Sequence, residues 1–222
     1  MVPGGAGVRH LWLLAAKDLR VEWRTRELTG AMALLALLLA VVLAALGGAP
    51  RAAAAAMWVT YTFAAALGFA RLFALERDQL LALRLAPVDA SVVVLAKAIA
   101  SWAVLTVVQV VSVPAFAVLA SEAVGRHAWR LAPVLALGGA GLAAAGALFG
   151  GLVTLARVRE ALLPVLLLPV TLPVLAAATA ATAELLAGAP LAAVTPQLQV
   201  LGAFAMLFGA ASVLLFDHLV EE

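Results

Sequence analysis

The sequence predicts an all-α membrane protein of six transmembrane helices preceded by an amphipathic interfacial N-terminal helix. Three observations carry this. Of 222 residues, 66% are hydrophobic and 12% charged, whereas soluble domains are apolar in roughly half their residues. Six stretches contain no Asp, Glu, Lys or Arg: Leu28 to Pro50, Ala52 to Ala70, Ala98 to Ser121, Leu131 to Ala156, Ala161 to Ala183, and Leu185 to Phe216. Each meets the length of about 20 apolar residues that a bilayer span requires. Both faces of these runs are apolar, which excludes the alternating pattern of barrel strands, and lipid leaves no partners for irregular backbone. Six spans and short loops fill residues 1–222 as a single transmembrane domain, with no room for a soluble one.

The N-terminal helix, residues 8–26, is amphipathic. At about 100° per residue, Val8, Leu11, Trp12, Ala15, Ala16, Leu19 and Trp23 fall on one side, and Arg9, Lys17, Arg20, Arg24 and Glu27 on the other. Such a helix lies in the membrane interface. Trp12 and Trp23 suit the headgroup level, and Lys17, Arg20, Arg24 and Arg26 suit anionic lipid or an acidic partner. A charged leader that merely sets topology is the competing reading. A cleaved signal peptide fits poorly, because the charged region is long, contains Asp18, Glu22 and Glu27, and leads into a run of span length. Glu22 and Arg26 have the spacing of a helical ion pair, and the chain is expected to turn into the first span near Arg26 to Gly30.

The spans are placed at about 28–50, 52–72, 92–120, 131–156, 161–183 and 197–216. The front of the last run is loop, since Gly188, Pro190 and Pro196 interrupt it. With the N-terminus inside, the inner segments hold Arg9, Lys17, Arg20, Arg24, Arg26, Arg71, Arg77, Arg84, Lys97, Arg157 and Arg159, and the outer loops hold only Arg51, Arg126 and Arg130. The positive-inside rule then places both termini in the cytoplasm.

Charge concentrates again in the inner loop 73–91. Glu76, Arg77, Asp78, Gln79 and Arg84 are interleaved there with Leu75, Leu80, Leu81, Leu83 and Leu85. So amphiphilic a loop folds against something, or else Glu76, Arg77 and Asp78 form a local ion-pair cluster. Pro87 ends any helix, and Asp89, Ala90 and Ser91 cap the next.

Within the spans the polar groups are few. Lys97 lies one turn into the third span, within snorkelling reach of the cytoplasmic surface. Gln109, with Thr106 and Ser112 nearby, is expected to hydrogen-bond a neighbouring helix, and Gly146 with Gly150 forms a GxxxG that brings the fourth span close to another. Pro114 in the third span and Pro164, Pro169 and Pro173 in the fifth predict kinks.

The absences narrow the function. The chain has no cysteine and only two lysines, Lys17 and Lys97, neither in a phosphate-binding loop. The three histidines, His10, His127 and His218, lie outside the spans, and no hydrolase or metalloprotease motif occurs. Neither a metal site nor a catalytic residue is expected, and no nucleic acid partner. Coupled ion transport leaves ionisable groups at mid-membrane, so the energy is expected to arrive through a cytoplasmic partner.

Together these segments resemble the heme exporter protein B family, the membrane subunit of the cytochrome c maturation ABC transporter. The resemblance rests on the N-terminal helix with Lys17-Asp18-Leu19-Arg20-Val21-Glu22-Trp23-Arg24-Thr25-Arg26-Glu27 and on the loop from Arg71-Leu72-Phe73 to Leu85-Ala86-Pro87. It continues through Val94-Leu95-Ala96-Lys97 and Leu168-Pro169-Val170-Thr171-Leu172-Pro173-Val174-Leu175, and so covers essentially the whole chain. Where that family has a Gly-x-Leu-Glu element, this chain has Asp78-Gln79-Leu80-Leu81.

The resemblance implies a permease homodimer on two ATP-binding subunits, which hold ATP and magnesium, with a heme-handling membrane subunit and a periplasmic heme chaperone. Glu76, Arg77, Asp78, Gln79 and Arg84 would then couple to the ATPase, and helix 8–26 would be the elbow. No resident cofactor is expected on this chain, although heme passes through the complex. Met32, Met57, Met206 and Tyr61 are iron-ligating residue types, but isolated in spans they read as packing; His127, near Trp129, is the one histidine on the outer side. A permease for a drug, lipid or polysaccharide, and a non-transporting membrane scaffold, are the alternatives.

Overall fold

A computed structural model of the chain describes residues 5–44, 49–74, 90–155 and 162–221. Regular structure in these residues is helical throughout. In chain order the helices are α1 (Gly5–Thr25), α2 (Glu27–Ala44), α3 (Pro50–Ala74), α4 (Ala90–Leu119), α5 (Glu122–Arg126), α6 (Ala128–Leu155), α7 (Leu162–Val170), α8 (Leu172–Leu186) and α9 (Thr195–Glu221). A 3-10 turn, Leu191–Val194, precedes α9. Four helices are individually long and apolar enough to cross a membrane, within 50–69, 91–119, 128–153 and 191–216; α1 with α2 and α7 with α8 form two bent pairs. Pro50 opens the second apolar helix rather than closing the first, a position where its missing N–H is not needed.

α3 and α6 form the centre of the bundle. Their apolar windows are 72% and 67% buried, against 33% for α4 and 17% for α9. α6 is kept slender by glycines, and bulky side chains of α3 and α9 lie over four of them. The Trp58 ring of α3 lies over Gly138, Phe69 of α3 over Gly146, and Phe204 and Phe216 of α9 over Gly141 and Gly151. In lipid, helices gain little from hiding apolar surface, and close backbone approach with dense van der Waals contact is what holds them. Gly146 thus lies against α3, and Gly150 is buried.

Hydropathy does not mark the buried side of α2. Leu28, Met32, Ala36 and Ala40, spaced by one turn, are buried, whereas Leu34, Leu38, Val41 and Val42 are exposed. Met32 in turn fits against Gly68 of α3.

The two bends have separate causes. Between α1 and α2 the axis turns by 67° at Arg26, whose φ of 53° is left-handed and costs an L-residue about 1–2 kcal/mol. Glu22 compensates: its Oε1 accepts from the Thr29 N–H and from Thr29 Oγ1, both at 2.7 Å, and so caps the start of α2. The expected Glu22–Arg26 pair does not form, because the Glu22 carboxylate is engaged by Thr29; the Arg26 guanidinium lies 5.7 Å from the Trp23 ring centroid. Replacing Glu22 with alanine is expected to weaken the bend by about 1–2 kcal/mol, and trypsin cleavage after Arg26 checks this by becoming several-fold faster.

Between α7 and α8 the turn is 53°. Pro169 and Pro173 each remove a helical donor, and Thr171 between them bonds through Oγ1 to the Leu168 carbonyl at 3.0 Å. Pro114, by contrast, lies inside α4 without ending it.

Candidate functional site

Two features of the described residues bear on function: the seat of α1 on α4, and the polar groups inside the bundle. α1 does not lie free. Leu11 and Ala15 are buried against Val92 and Ala96 of α4, with Leu14, Leu95 and Ile99 packed around them. Next to this apolar contact, Lys97 Nζ donates to Asp18 Oδ2 at 3.5 Å. The side chains of Lys97 and Asp18 are 4% and 9% exposed, and Lys17 Nζ lies 3.8 Å from the other Asp18 oxygen.

Lys97 therefore does not snorkel to a surface as its sequence position suggested. A lysine held within the bundle needs a counter-charge, because an unpaired ammonium there carries a desolvation cost of several kcal/mol. Asp18 is that counter-charge, and sequence reasoning missed it by counting Asp18 only as a mark against a signal peptide. The signal was present in a lone lysine one turn into a span, which demands an acidic partner from another element.

Of the residues predicted for the elbow, Trp12, Lys17, Arg20, Trp23, Arg24 and Arg26 are all exposed. Trp12 and Trp23 share a side with Leu11 and Ala15 on a helical wheel, yet point away from α4 at 61% and 72% exposure. The apolar stripe of α1 is thus divided: small and branched residues meet α4, and the indoles face the surroundings. The predicted coupling residues Glu76, Arg77, Asp78, Gln79 and Arg84 lie outside the described residues, as do Pro87 and Asp89. The described chain resumes at Ala90, and Lys97 follows two turns later on the same helix.

Inside the bundle four polar side chains tie helices together. Trp58 Nε1 donates to Thr182 Oγ1 of α8 at 2.8 Å. Ser112 Oγ donates to Tyr61 Oη at 3.1 Å, and Trp102 Nε1 to the Ala136 carbonyl of α6 at 2.9 Å. Gln109 is fully buried and its amide reaches the Leu135 carbonyl of α6 at 3.4 Å. Trp58, Tyr61 and Phe116 form an edge-to-face series with centroids 5.7 and 6.1 Å apart.

The residue types considered as iron ligands are dispersed. Met32, Met57 and Tyr61 are buried in the core, and Met206 is 71% exposed. His127 Nδ1 lies 3.1 Å from the Ala123 carbonyl at the α5–α6 junction. Among the described residues no cluster of three His, Cys, Asp or Glu side chains could hold a metal.

A bundle of apolar helices held by glycine packing and interhelical hydrogen bonds, with an amphipathic N-terminal helix bolted to one span, is an integral membrane protein of the permease type. The family model described as CcmB protein matches residues 9–218, and the chain belongs to that family. Its members are the membrane permease subunits of the heme exporter ABC complex of cytochrome c maturation, subunits that are not themselves enzymes, and the complex includes an ATP-binding subunit. A search of the curated proteins found no match.

Proposed function

We propose that this chain transmits force within that complex, converting ATP hydrolysis by the partner subunit into release of a heme-loaded periplasmic chaperone or export of heme. The observation that carries the reading is the family match across residues 9–218. In this reading two copies sit on two ATP-binding subunits in the inner membrane, with both termini cytoplasmic, beside a heme-handling membrane subunit. Glu76, Arg77, Asp78, Gln79 and Arg84 contact the ATPase, where ATP and magnesium are held. Support for the assignment comes from their place in sequence between α3, the centre of the bundle, and α4, which carries α1. Heme is substrate of the complex, and this chain holds no resident cofactor.

Reversing Glu76 and Asp78 together to arginine tests the coupling role in the purified complex and in the cell. The complex is expected to assemble and hydrolyse ATP, while cytochrome c yield falls about tenfold or more, the scale of a coupling free energy between two sites. Full yield from a normally assembled variant overturns the coupling assignment. Recovery of an ATPase with no heme and no cytochrome assembly factor would move the reading to an exporter of another substrate.

A further inference from the structure

We infer that the outward surface of α1 binds anionic phospholipid headgroups, Arg9, Arg20 and Arg24 meeting the phosphates while Trp12 and Trp23 anchor the helix at headgroup depth. In sequence the helix is of mixed charge, since Asp18 and Glu22 interrupt its basic residues. The fold sorts them. The Asp18 side chain is 9% exposed and accepts a hydrogen bond from Lys97, and Glu22 is engaged by Thr29, whereas Arg9, Arg20 and Arg24 are exposed. Both carboxylates of α1 are thus drawn inward, and the surface left outside is basic. Lys17, 3.8 Å from Asp18, adds little to it.

The order of side chains around α1 favours a bilayer over an acidic protein. At about 100° per residue, Trp12 and Trp23 lie about 20° apart, a quarter-turn from the Leu11 and Ala15 face packed on α4. Arg9, Arg20 and Arg24 follow on the far side of the indoles. The opposite quarter holds His10, Val21 and Thr25. Because α1 is turned by 67° from α2, it runs across the end of the bundle, with one of these two sides toward the lipid beside the spans. Indoles favour the headgroup level, which selects the side of Trp12 and Trp23. Eleven residues apart, they stand roughly 16 Å from each other along the axis. A flat layer receives both, whereas a protein surface must offer a pocket to each. One arginine near an anionic surface raises affinity about fivefold, and three reach about a hundredfold.

The chain contains no cysteine, so Ala16→Cys, exposed on the side of the indoles, carries a single fluorophore when labelled before assembly. Leu207→Cys, on the exposed side of α9, supplies the reference. The labelled complex is placed in nanodiscs of phosphatidylcholine, and quenching by trace phosphatidylglycerol is compared with quenching by trace phosphatidylcholine, each bearing a nitroxide at the top of one acyl chain. At residue 16 the anionic lipid is expected to quench about fivefold more strongly, and at residue 207 the two are expected to match. The excess is expected to vanish in about 1 M salt, where the Debye length is about 3 Å.

Equal quenching of residue 16 by the two lipids overturns the proposal, and so does the absence of quenching by either. An excess found for the free chain but lost in the complex also overturns it, and assigns the arginines to an acidic partner surface. Arg9→Gln, Arg20→Gln and Arg24→Gln together are expected to remove the excess and leave quenching by phosphatidylcholine unchanged; an excess that survives them overturns the role of the arginines. Should that variant fail to accumulate, salt decides in the chain with its arginines intact, since an excess that persists in about 1 M salt is not electrostatic.

Discussion

Trp58→Ala is expected to destabilise the bundle by about 3 kcal/mol, at the lower end of the range for deleting a large aromatic side chain. The lower end applies because the separated helices are solvated by lipid rather than water, which removes most of the transfer contribution and leaves the cavity and lost dispersion contacts. Trp58 is fully buried, covers Gly138, meets the edge of Tyr61 and holds Thr182. Trp58→Phe separates the contributions. It keeps most of the ring and loses the indole hydrogen bond, worth about 0.6 kcal/mol between membrane helices. Unfolding by SDS in mixed micelles measures both, and similar losses for the two variants would show that the hydrogen bond, not the packing, holds α3 to its neighbours.

Gly146→Leu has the second large effect, from crowding rather than a void. A Cβ at residue 146 already meets Cδ2 of the Phe69 ring, and the remaining leucine atoms have nowhere to go without parting α3 from α6. Overpacking of this kind costs about 1–3 kcal/mol, and here it falls between the two central helices. Gly202→Ala and Gly209→Ala in α9 serve as controls, since nothing lies within 4 Å of a Cβ at either residue. Their SDS unfolding midpoints are expected at the unsubstituted value or slightly above, because alanine is the better helix former by about 1 kcal/mol.

The fold class was legible because lipid makes composition decisive: long charge-free runs, the proline-rich fifth span and the bend near Arg26 all show in the one-dimensional pattern. What stayed hidden is which side of each helix faces its neighbours. In α2 the exposed leucines and valines are as apolar as the buried Met32, so periodicity of hydropathy carries no information there. Size does not settle it either, since Gly30 and Ala31 are exposed while Leu28 and Met32 are buried. Pairing was the second blind spot. Spacing suggested Glu22 with Arg26, but backbone conformation at Arg26 gave Glu22 to Thr29. Lys97 and Asp18 are 79 residues apart, a separation at which no local rule applies.

That separation also sets an order of assembly. α1 leaves the ribosome before α4, and Lys97 is made 79 residues after Asp18, a delay of roughly 4–16 s at about 5–20 residues per second. During that interval the face bearing Leu11 and Ala15 has only lipid or a chaperone to meet, and Asp18 stays in water. α1 is thus seated only after α4 has entered the membrane. Its docking is a late checkpoint in biogenesis, and a chain truncated before residue 97 leaves the N-terminal helix undocked.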